Sequence, residues 1–173
     1  MVTEDKTVEA SKNTEVKAGS IAIDETHFPD KVFREQIIAE FDKDGDSVLS
    51  VDEISKAQFL NLHDMKTISS LEGIQYLTNL QSLDVSTTSV SDLSPVKNSS
   101  LKRLDCRSSK VGSVDLTRYP NLEAFLCDNT SINSLDVSKN EKLNTLFADS
   151  TSISNLDVTN NPNLEQHLVA IQD

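Results

Sequence analysis

The stretch "LQSLDVSTTSVSDL", residues 80–93, decides the fold, because its apolar pattern LxxLxVxxTxVxxL returns along the chain at a fixed spacing. Leu80 opens a series of leucines that lie 21 residues apart, and the series continues with Leu101, Leu122, Leu143 and Leu164. The positions three, five, ten and thirteen residues after these leucines are also mostly apolar. A unit of this length cannot bury its apolar side alone, so neighbouring units must stack into a solenoid.

The pattern resembles the leucine-rich repeat over residues 65–173, and residues 68–80 are similar to the second half of an earlier, slightly longer repeat. The resemblance implies a leucine-rich-repeat solenoid of 21-residue repeats. In such a fold the LxL portions form a short parallel β-sheet on the concave face, and the remaining residues form an irregular or 3-10 convex side.

Two features depart from the leucine-rich-repeat pattern. The family usually has Asn at the ninth position of the motif, but this chain has hydroxyl residues there: Thr88, Ser109, Thr130 and Thr151. A hydroxyl has one donor where an amide has two, so we expect a weaker ladder between repeats. His167 replaces an inward leucine of the last repeat. We therefore expect the C-terminal end of the core to be open in this chain. Either the chain is part of a longer protein, or a partner covers that end.

Composition and charge exclude several classes of protein. Of the 173 residues, only 36% are hydrophobic and 5% are aromatic, which favours a thin, elongated core. The net charge of −12 repels a phosphate backbone, so we expect no nucleic-acid binding. No apolar run approaches the roughly 18 to 20 residues that span a bilayer, so we expect no membrane insertion. Residues 1–20 are polar and mixed in charge, and we interpret them as a disordered acidic leader.

An acidic loop, "DKDGDSVLSVDE" at residues 42–53, precedes the repeats. Side-chain oxygens fall at loop positions 1, 3, 5, 9 and 12, and position 7 offers a backbone carbonyl, which is the spacing of an EF-hand. The predicted metal ligands are Asp42, Asp44, Asp46, Val48, Ser50 and Glu53. Because Ca²⁺ prefers six to eight oxygen ligands, the loop predicts one calcium site, and the alternative is an acidic turn that binds no ion.

The residues on both sides of the loop predict helices. Phe33, Ile37 and Phe41 lie four residues apart, as on the buried side of an amphipathic helix, and Asp30 is a suitable N-cap. The S-x-x-E spacing at residues 50–53 opens a second helix. The sequence therefore predicts a helix, a twelve-residue loop and a second helix.

Loop position 6 is Ser47, where EF-hands normally have Gly because the turn is sharp and needs a positive φ. A non-Gly residue in that conformation costs roughly 1–2 kcal/mol, and about 1.4 kcal/mol is a factor of ten in affinity. We therefore expect one weak structural Ca²⁺ site with a Kd of about 10⁻⁴ M or weaker, which matches extracellular calcium.

A single EF-hand-like loop ahead of leucine-rich repeats resembles the N-terminal cap of internalin-like surface proteins of Gram-positive bacteria. The resemblance extends over "IDETHFPDKVFREQI", the acidic loop and "ISSLEGIQYLTNLQSLDVS". It implies that residues 1–20 are the leader, residues 21–64 a helical EF-hand-like cap, and residues 65–173 the solenoid. We expect the ion to hold the two helices over the first repeat.

Cys106 and Cys127 occupy the same inward position of adjacent repeats. Neighbouring strands lie about 4.8 Å apart, whereas a disulfide prefers Cβ atoms about 3.8 Å apart, so a bridge would require distortion. We expect two buried thiols that pack as small hydrophobic groups, with a disulfide as the alternative. Some internalin-like repeat proteins are similar, with stacked cysteines in the repeat core.

Stacking the repeats places three columns of outward side chains on the concave sheet. Leu126, Phe147 and Leu168 form an apolar strip in the central column, where an exposed face should be polar. Clustered exposed apolar residues rimmed by charge mark binding sites. The predicted ligand-binding residues are Arg103, Asp105, Arg107, Leu126, Asp128, Phe147, Asp149 and Leu168. The alternatives are that the apolar residues are tolerated, or that another segment, such as the leader, covers them.

Catalysis on the concave face is disfavoured. Asp128 and Asp149 occupy one column of adjacent strands, at a separation of about 5 Å that suits a retaining glycosidase. A flat face offers no pocket that excludes water, however, so we expect no enzyme. The aspartate columns are instead a weak candidate for a second cation.

The resemblance implies adhesion or recognition at a cell surface, and hence an extracellular or cell-surface location. We predict a calcium-stabilised module that binds a protein or glycoprotein on a host or neighbouring cell through its concave sheet. One alternative is a structural spacer or capped segment of a larger surface protein with no ligand of its own. Another is an intracellular regulator, whose fold would resist a chelator.

Overall fold

Seven strands and two helices build the structure, a computed structural model that describes residues 18–164. In chain order they are β1 (Ile21–Ala22), α1 (Lys31–Phe41), β2 (Val48–Leu49), α2 (Val51–Lys56), β3 (Phe59–Asn61), β4 (Ser82–Asp84), β5 (Arg103–Asp105), β6 (Ala124–Leu126) and β7 (Thr145–Phe147). Strands β3 to β7 form one sheet in which each strand pairs in parallel with the next. The predicted solenoid with a parallel sheet is confirmed.

The pairing register places the 21-residue columns side by side. Leu83, Leu104, Phe125 and Leu146 stand opposite one another on consecutive strands, and each is fully buried. Because successive side chains of a strand point to opposite faces, the residues before and after these four lie on the concave face. The return side contains two 3-10 helices, Ile74–Tyr76 and Leu116–Arg118, and otherwise turns.

The sheet begins one strand earlier than the repeat pattern indicates. β3 lies within residues 21–64, which the sequence analysis assigned to the cap, and its Leu60 pairs with Leu83. The spacing between these two leucines is 23 residues instead of 21, so a search at a fixed period misses the strand. The strand predicted around residues 166–168 lies outside the described residues.

One continuous apolar core joins the N-terminal helices to the repeats. The predicted helical stripe of Phe33, Ile37 and Phe41 is buried in α1. These side chains belong to the same cluster of buried residues as the repeat leucines. The core is thin because each repeat contributes only one layer of side chains between its strand and its return turn.

The hydroxyl residues at the ninth motif position close turns within their own repeat. Thr88 Oγ1 donates to the carbonyl of Val85 (2.6 Å), and Thr130 Oγ1 donates to the carbonyl of Cys127 (2.7 Å). Ser109 and Thr151 make the same bond three residues back. These side chains therefore stabilise single turns and do not link neighbouring repeats.

The residue before each of these hydroxyl residues has a left-handed backbone. The φ values are 58° at Thr87, 54° at Ser108, and 55° at both Asn129 and Ser150. None of the four is Gly, and a left-handed conformation costs an L-residue roughly 1–2 kcal/mol. Stacking of the repeats therefore holds the turns in a conformation that their own residues disfavour.

A ladder of buried asparagines links the repeats on the convex side. Asn98, Asn140 and Asn161 are at most 4% exposed and lie at multiples of 21 residues from one another. Asn140 Nδ2 donates to the carbonyl oxygens of Leu116 (3.0 Å) and Tyr119 (2.8 Å) in the preceding repeat. Buried carbonyls require such partners, so this column satisfies the backbone between turns.

The same bonds recur in the next repeat. Asn161 Nδ2 donates to the carbonyl oxygens of Val137 (3.0 Å) and Asn140 (2.9 Å). Tyr119 replaces asparagine in this column, and its hydroxyl donates to the carbonyl of Val96 (2.9 Å). The amides of this ladder therefore stand three residues before the repeat leucine, and not at the ninth motif position, where the family pattern has its asparagine.

Asp30 connects α1 to the first repeat. Its Oδ1 accepts hydrogen bonds from the amides of Val32 and Phe33, both at 3.1 Å, so the predicted N-cap is confirmed. Its Oδ2 accepts from the amides of Ser69 (3.0 Å) and Ser70 (3.3 Å). Desolvation opposes the shift, but these four donors lower the pKa of Asp30.

We expect Asn140→Ala to lower the free energy of unfolding by about 1–3 kcal/mol, because two buried carbonyls of the preceding repeat lose their donor. Urea unfolding followed by circular dichroism measures the change. Asn160→Ala is the matched control, since Asn160 is exposed and its side chain makes no hydrogen bond within residues 18–164. Equal unfolding midpoints for the two variants would contradict a stabilising ladder.

We expect Asp30→Asn to destabilise the protein by about 1–3 kcal/mol at neutral pH, since an amide can cap the helix but offers only one accepting oxygen. The pKa of Asp30 is lower in the folded chain than in the unfolded chain, where it is about 3.9. Its stabilisation is therefore present above that pH and is lost as the pH falls through the folded pKa. Unfolding of the wild type and the variant at a series of pH values measures the difference between their free energies of unfolding.

The control for this pH series is Glu35→Gln on the same helix, because the Glu35 side chain is 57% exposed. We expect this variant to follow the wild type at every pH. The difference in free energy of unfolding between wild type and Asp30→Asn should shrink at acidic pH. A difference that stays constant would show that the carboxylate charge does not carry the stabilisation.

Candidate functional sites

The acidic loop gathers three of the predicted calcium ligands. Carboxylate oxygens of Asp42, Asp44 and Asp46 lie within 4.8 Å of one another. The loop closes around Asp42, whose oxygens accept the amides of Gly45 (2.8 Å) and Ser47 (3.0 Å). These local bonds explain how three like charges come together without a counter-ion from the protein: none of the three aspartates forms a salt bridge among the residues described.

Two loop residues have left-handed backbones. Ser47 has φ of 63°, as its place in the EF-hand pattern requires, and Gly45 has φ of 73°. The apolar end of the loop forms β2, which pairs with β1 in an antiparallel register of Ala22 with Val48 and Ile21 with Leu49. The loop is therefore fixed on one side by a strand from the same chain.

Glu53 is held at the start of α2 and is not part of the aspartate group. Its Oε1 accepts the amide of Lys43 (2.7 Å), and its Oε2 accepts the amide (2.9 Å) and hydroxyl (2.7 Å) of Ser50. The predicted capping box between Ser50 and Glu53 is confirmed. Desolvation opposes the shift, but these hydrogen bonds lower the pKa of Glu53, which therefore stays ionised beside the loop.

The donor set of the loop fits a hard cation. Desolvation and the charges of Asp46, Glu53 and Asp42 raise the pKa of Asp44, which indicates that the carboxylates repel one another. All candidate ligands are oxygens, and Ca²⁺ takes carboxylate and carbonyl oxygens. Calcium binding stays a prediction that this geometry accommodates.

The concave sheet carries an ion-pair cluster at its centre. Asp105 is fully buried and binds two arginines, one in β5 and one in the turn that follows it. Arg103 Nη2 donates to Asp105 Oδ2 (2.9 Å), while Arg107 donates from Nε to Oδ1 (2.9 Å) and from Nη2 to Oδ2 (2.7 Å). The bond to Asp105 raises the pKa of Arg107. Two half-exposed guanidinium groups are thus fixed on the sheet by one saturated carboxylate.

The expectation that Leu126 is exposed is wrong. Leu126 is only 3% exposed, although it lies outside the main core cluster, and Phe147 is half-buried. Leu126 stands between Asp105 and Phe147 in the central column. The apolar strip is therefore smaller than predicted within residues 18–164, and Leu168 lies outside the described residues.

Asp128 and Asp149 stand one above the other beyond the strand ends. The amide of Asp149 donates to Asp128 Oδ1 (2.8 Å). Desolvation and the charge of Asp149 raise the pKa of Asp128. Asp149 Oδ1 is buried and accepts no hydrogen bond from the described part of the chain. The charge of Arg107 partly offsets the shift at Asp128, although Arg107 makes no hydrogen bond to either carboxylate within residues 18–164.

Two features of the concave face were not identified from the sequence. Phe59 of β3 is 67% exposed at the N-terminal edge of the sheet. His63 Nδ1 lies 2.8 Å from Ser86 Oγ, which in turn donates to Asp84 Oδ1. Phe59 lies in β3 and His63 follows it, and the fixed repeat period missed that strand. Recognising β3 from the sequence would therefore have identified both residues.

Cys106 and Cys127 are free and buried. Burial raises the pKa of both thiols, that of Cys127 to about 12. They remain protonated and pack as small apolar groups at neutral pH.

No helix in the described residues is long and apolar enough to cross a membrane.

The fold is similar to that of several solved leucine-rich-repeat structures. The functional domain of InlJ from Listeria monocytogenes, which includes a cysteine ladder, is 28% identical with a TM-score of 0.76, and the match covers 86% of this chain and 33% of that one. The internalin InlF of the same species is 24% identical with a TM-score of 0.64, covering 83% and 50%. A leucine-rich-repeat protein of Leptospira interrogans is 18% identical with a TM-score of 0.56, covering 66% and 31%.

No protein-family model and no curated protein sequence matches the chain. The chain spans about one third of the InlJ domain and half of the InlF structure. The structural matches agree with the parallel sheet, the 21-residue spacing and the convex turns described above. The chain has a leucine-rich-repeat fold that is similar to those of the InlJ domain and of InlF.

Proposed function

We propose that this protein is a calcium-stabilised recognition module, not an enzyme, that binds a protein or glycoprotein on a host or neighbouring cell through its concave sheet. The observation that carries the proposal is the central column of that sheet, where the half-buried Phe147 lies two strands from a fixed group of charges. Protein interfaces combine an apolar centre with a polar rim in this way. The proposal places the protein outside the cell or on its surface.

The rigidity of the concave face supports binding. Each strand is hydrogen-bonded to its neighbours, and Asp105 fixes two arginines that otherwise rotate freely. A surface that is already ordered loses less conformational freedom when a partner binds, so more of the contact energy appears as affinity.

The acidic loop supports the calcium part of the proposal. Asp42, Asp44 and Asp46 would supply side-chain oxygens, with Val48, Ser50 and Glu53 completing the predicted set. Bound calcium would neutralise the repulsion between these carboxylates. Because the loop joins α1 to α2, the ion would also fix the helices that pack on the first repeat.

A structural spacer is the second candidate. The near-complete burial of Leu126 favours it, because the apolar area available to a partner is smaller than the sequence suggests. A spacer requires no ligand of its own on the concave sheet.

We expect calcium to raise the melting temperature of the wild type. If the Kd is about 10⁻⁴ M, calcium at about 100 times the Kd stabilises the fold by about 2.7 kcal/mol. For a chain of this size that corresponds to a rise of roughly 5–11 °C. Thermal unfolding with calcium or with a chelator measures the shift.

The paired variants for this experiment are Asp46→Asn and Asp52→Asn. Asp46 is in the aspartate group, and an amide there can still accept the bond from the Val48 amide (2.8 Å). Asp52 is an exposed acid outside that group, bound to Lys56. We expect the calcium shift to fall in the first variant, because the loop loses one negative charge, and to be kept in the second. A wild type that melts at one temperature in both conditions would remove calcium from the proposal.

We expect Phe147→Asp to abolish binding of the partner, because it places a charge in the apolar centre of the proposed surface. Leu126 is left unchanged, since a charge at that buried position would test folding instead of binding. The measurement is a pull-down of cell-surface proteins by wild type and variant in the presence of calcium.

Ile38→Asp serves as the reference variant, because Ile38 is 37% exposed on α1 and lies outside both the acidic loop and the concave sheet. Circular dichroism verifies that both variants are folded. A partner retained by Phe147→Asp would move the binding surface elsewhere, and the absence of any specific partner for the wild type would favour the spacer.

A further inference from the structure

Charge is unevenly distributed along the concave sheet. In the half formed by β4, β5 and the turns after them, the two arginines Arg103 and Arg107 balance the two aspartates Asp84 and Asp105. In the half formed by β6, β7 and the turns after them, the outward side chains are Ala124, Leu126, Asp128, Thr145, Phe147 and Asp149. That half therefore combines two negative charges with apolar groups and has no basic residue in its three columns.

The two carboxylates of this acidic half are poorly satisfied. Asp128 accepts one amide bond, and Asp149 Oδ1 is buried without a hydrogen-bond donor from residues 18–164. Desolvation and the charge of Asp149 raise the pKa of Asp128, although the Asp149 amide and the charge of Arg107 act in the opposite direction. A positively charged donor on a partner would offset this repulsion by binding the oxygens of the pair that solvent reaches.

Arg107 does not supply that donor. It follows β5 in the same column as Asp128, but its Nε and Nη2 atoms are both bonded to Asp105 at 2.9 and 2.7 Å. The Arg107 charge is already shared with a fully buried carboxylate on its own strand. The charge of Arg107 therefore offsets that of Asp128 only in part, and the columns of β6 and β7 contain no basic residue.

The side chains of Phe147 and Asp149 lie at a defined distance from each other. Phe147 precedes Asp149 by two residues, and a strand rises about 3.3 Å per residue, so the two side chains emerge about 7 Å apart on the same face. An anionic partner would be repelled by this half of the sheet, and a free metal ion would leave Phe147 uncovered. A protein segment can contact both groups at once.

We infer that the C-terminal half of the concave sheet recognises a protein segment that presents an arginine or lysine beside an apolar side chain. The cationic group bridges Asp128 and Asp149, and the apolar group covers Phe147. A guanidinium suits the bridge best, because its five N–H donors can serve two carboxylates together. This inference rests on the proposed function and specifies the chemistry of the partner.

The test uses a random-peptide display library selected on the wild-type protein in calcium, followed by affinity measurements with the selected peptides. Asp128→Asn/Asp149→Asn removes the charges and keeps oxygens that can accept hydrogen bonds. Asp115→Asn/Asp136→Asn is the matched control, since both of these aspartates are exposed on the return side, in adjacent repeats, and the net charge changes equally. Circular dichroism verifies folding of both variants.

We expect the selected peptides to share a basic residue next to an apolar one. Their affinity should fall about ten-fold or more in Asp128→Asn/Asp149→Asn and stay unchanged in the control. Equal losses in both double variants would indicate general charge attraction and overturn the inference. Selection of no peptide would also overturn it.

A further variant separates this inference from the proposed function. Neutral or acidic peptides that bind the wild type, tolerate Asp128→Asn/Asp149→Asn and fail with Phe147→Asp would overturn the cationic partner while keeping the concave sheet as a binding surface. Basic peptides that bind Phe147→Asp as well as the wild type would show attraction to acid alone, which also contradicts the inference.

Discussion

Stacking at a fixed repeat is the constraint on which the rest of this structure depends. Because each strand pairs with the next, every position of a repeat lies beside the same position of its neighbours. Inward columns fill a thin core, and the convex column of Asn140 and Asn161 supplies donors to carbonyls that water cannot reach. Outward columns determine the surface that the protein offers. The left-handed turns at Thr87 and Ser108 persist because this stacking over-determines them.

Periodic and local features could be predicted from the sequence. The 21-residue spacing predicts the parallel sheet, and nearest-neighbour chemistry predicts the N-cap at Asp30 and the capping box of Ser50 with Glu53. β3 could not be found this way, because its spacing to β4 differs from the period. The asparagine ladder was missed for a related reason: which column must satisfy buried carbonyls depends on the path of the convex turns, and the repeat motif does not specify that path.

The candidate sites also contain features that the sequence could predict and features that it could not. The spacing of Asp42, Asp44 and Asp46 was enough to bring their carboxylates together, since the loop is short and closes on itself. The exposure of Leu126 could not be predicted, because it depends on the side chains of two other strands. Asp105 illustrates the same effect: a charged residue on an outward position is fully buried beneath two arginines. Patterns assign a side chain to a face, and its neighbours determine how much of it remains accessible.

Asp30 determines how the N-terminal part of the protein opens. One carboxylate binds the first amides of α1 and, at the same time, two amides of the first repeat at Ser69 and Ser70. The helix therefore cannot fray at its start without releasing the repeat, so the two segments open as one cooperative unit. In amide hydrogen exchange, the protons of Val32, Phe33, Ser69 and Ser70 should consequently share a common protection, although they belong to segments more than thirty residues apart in sequence.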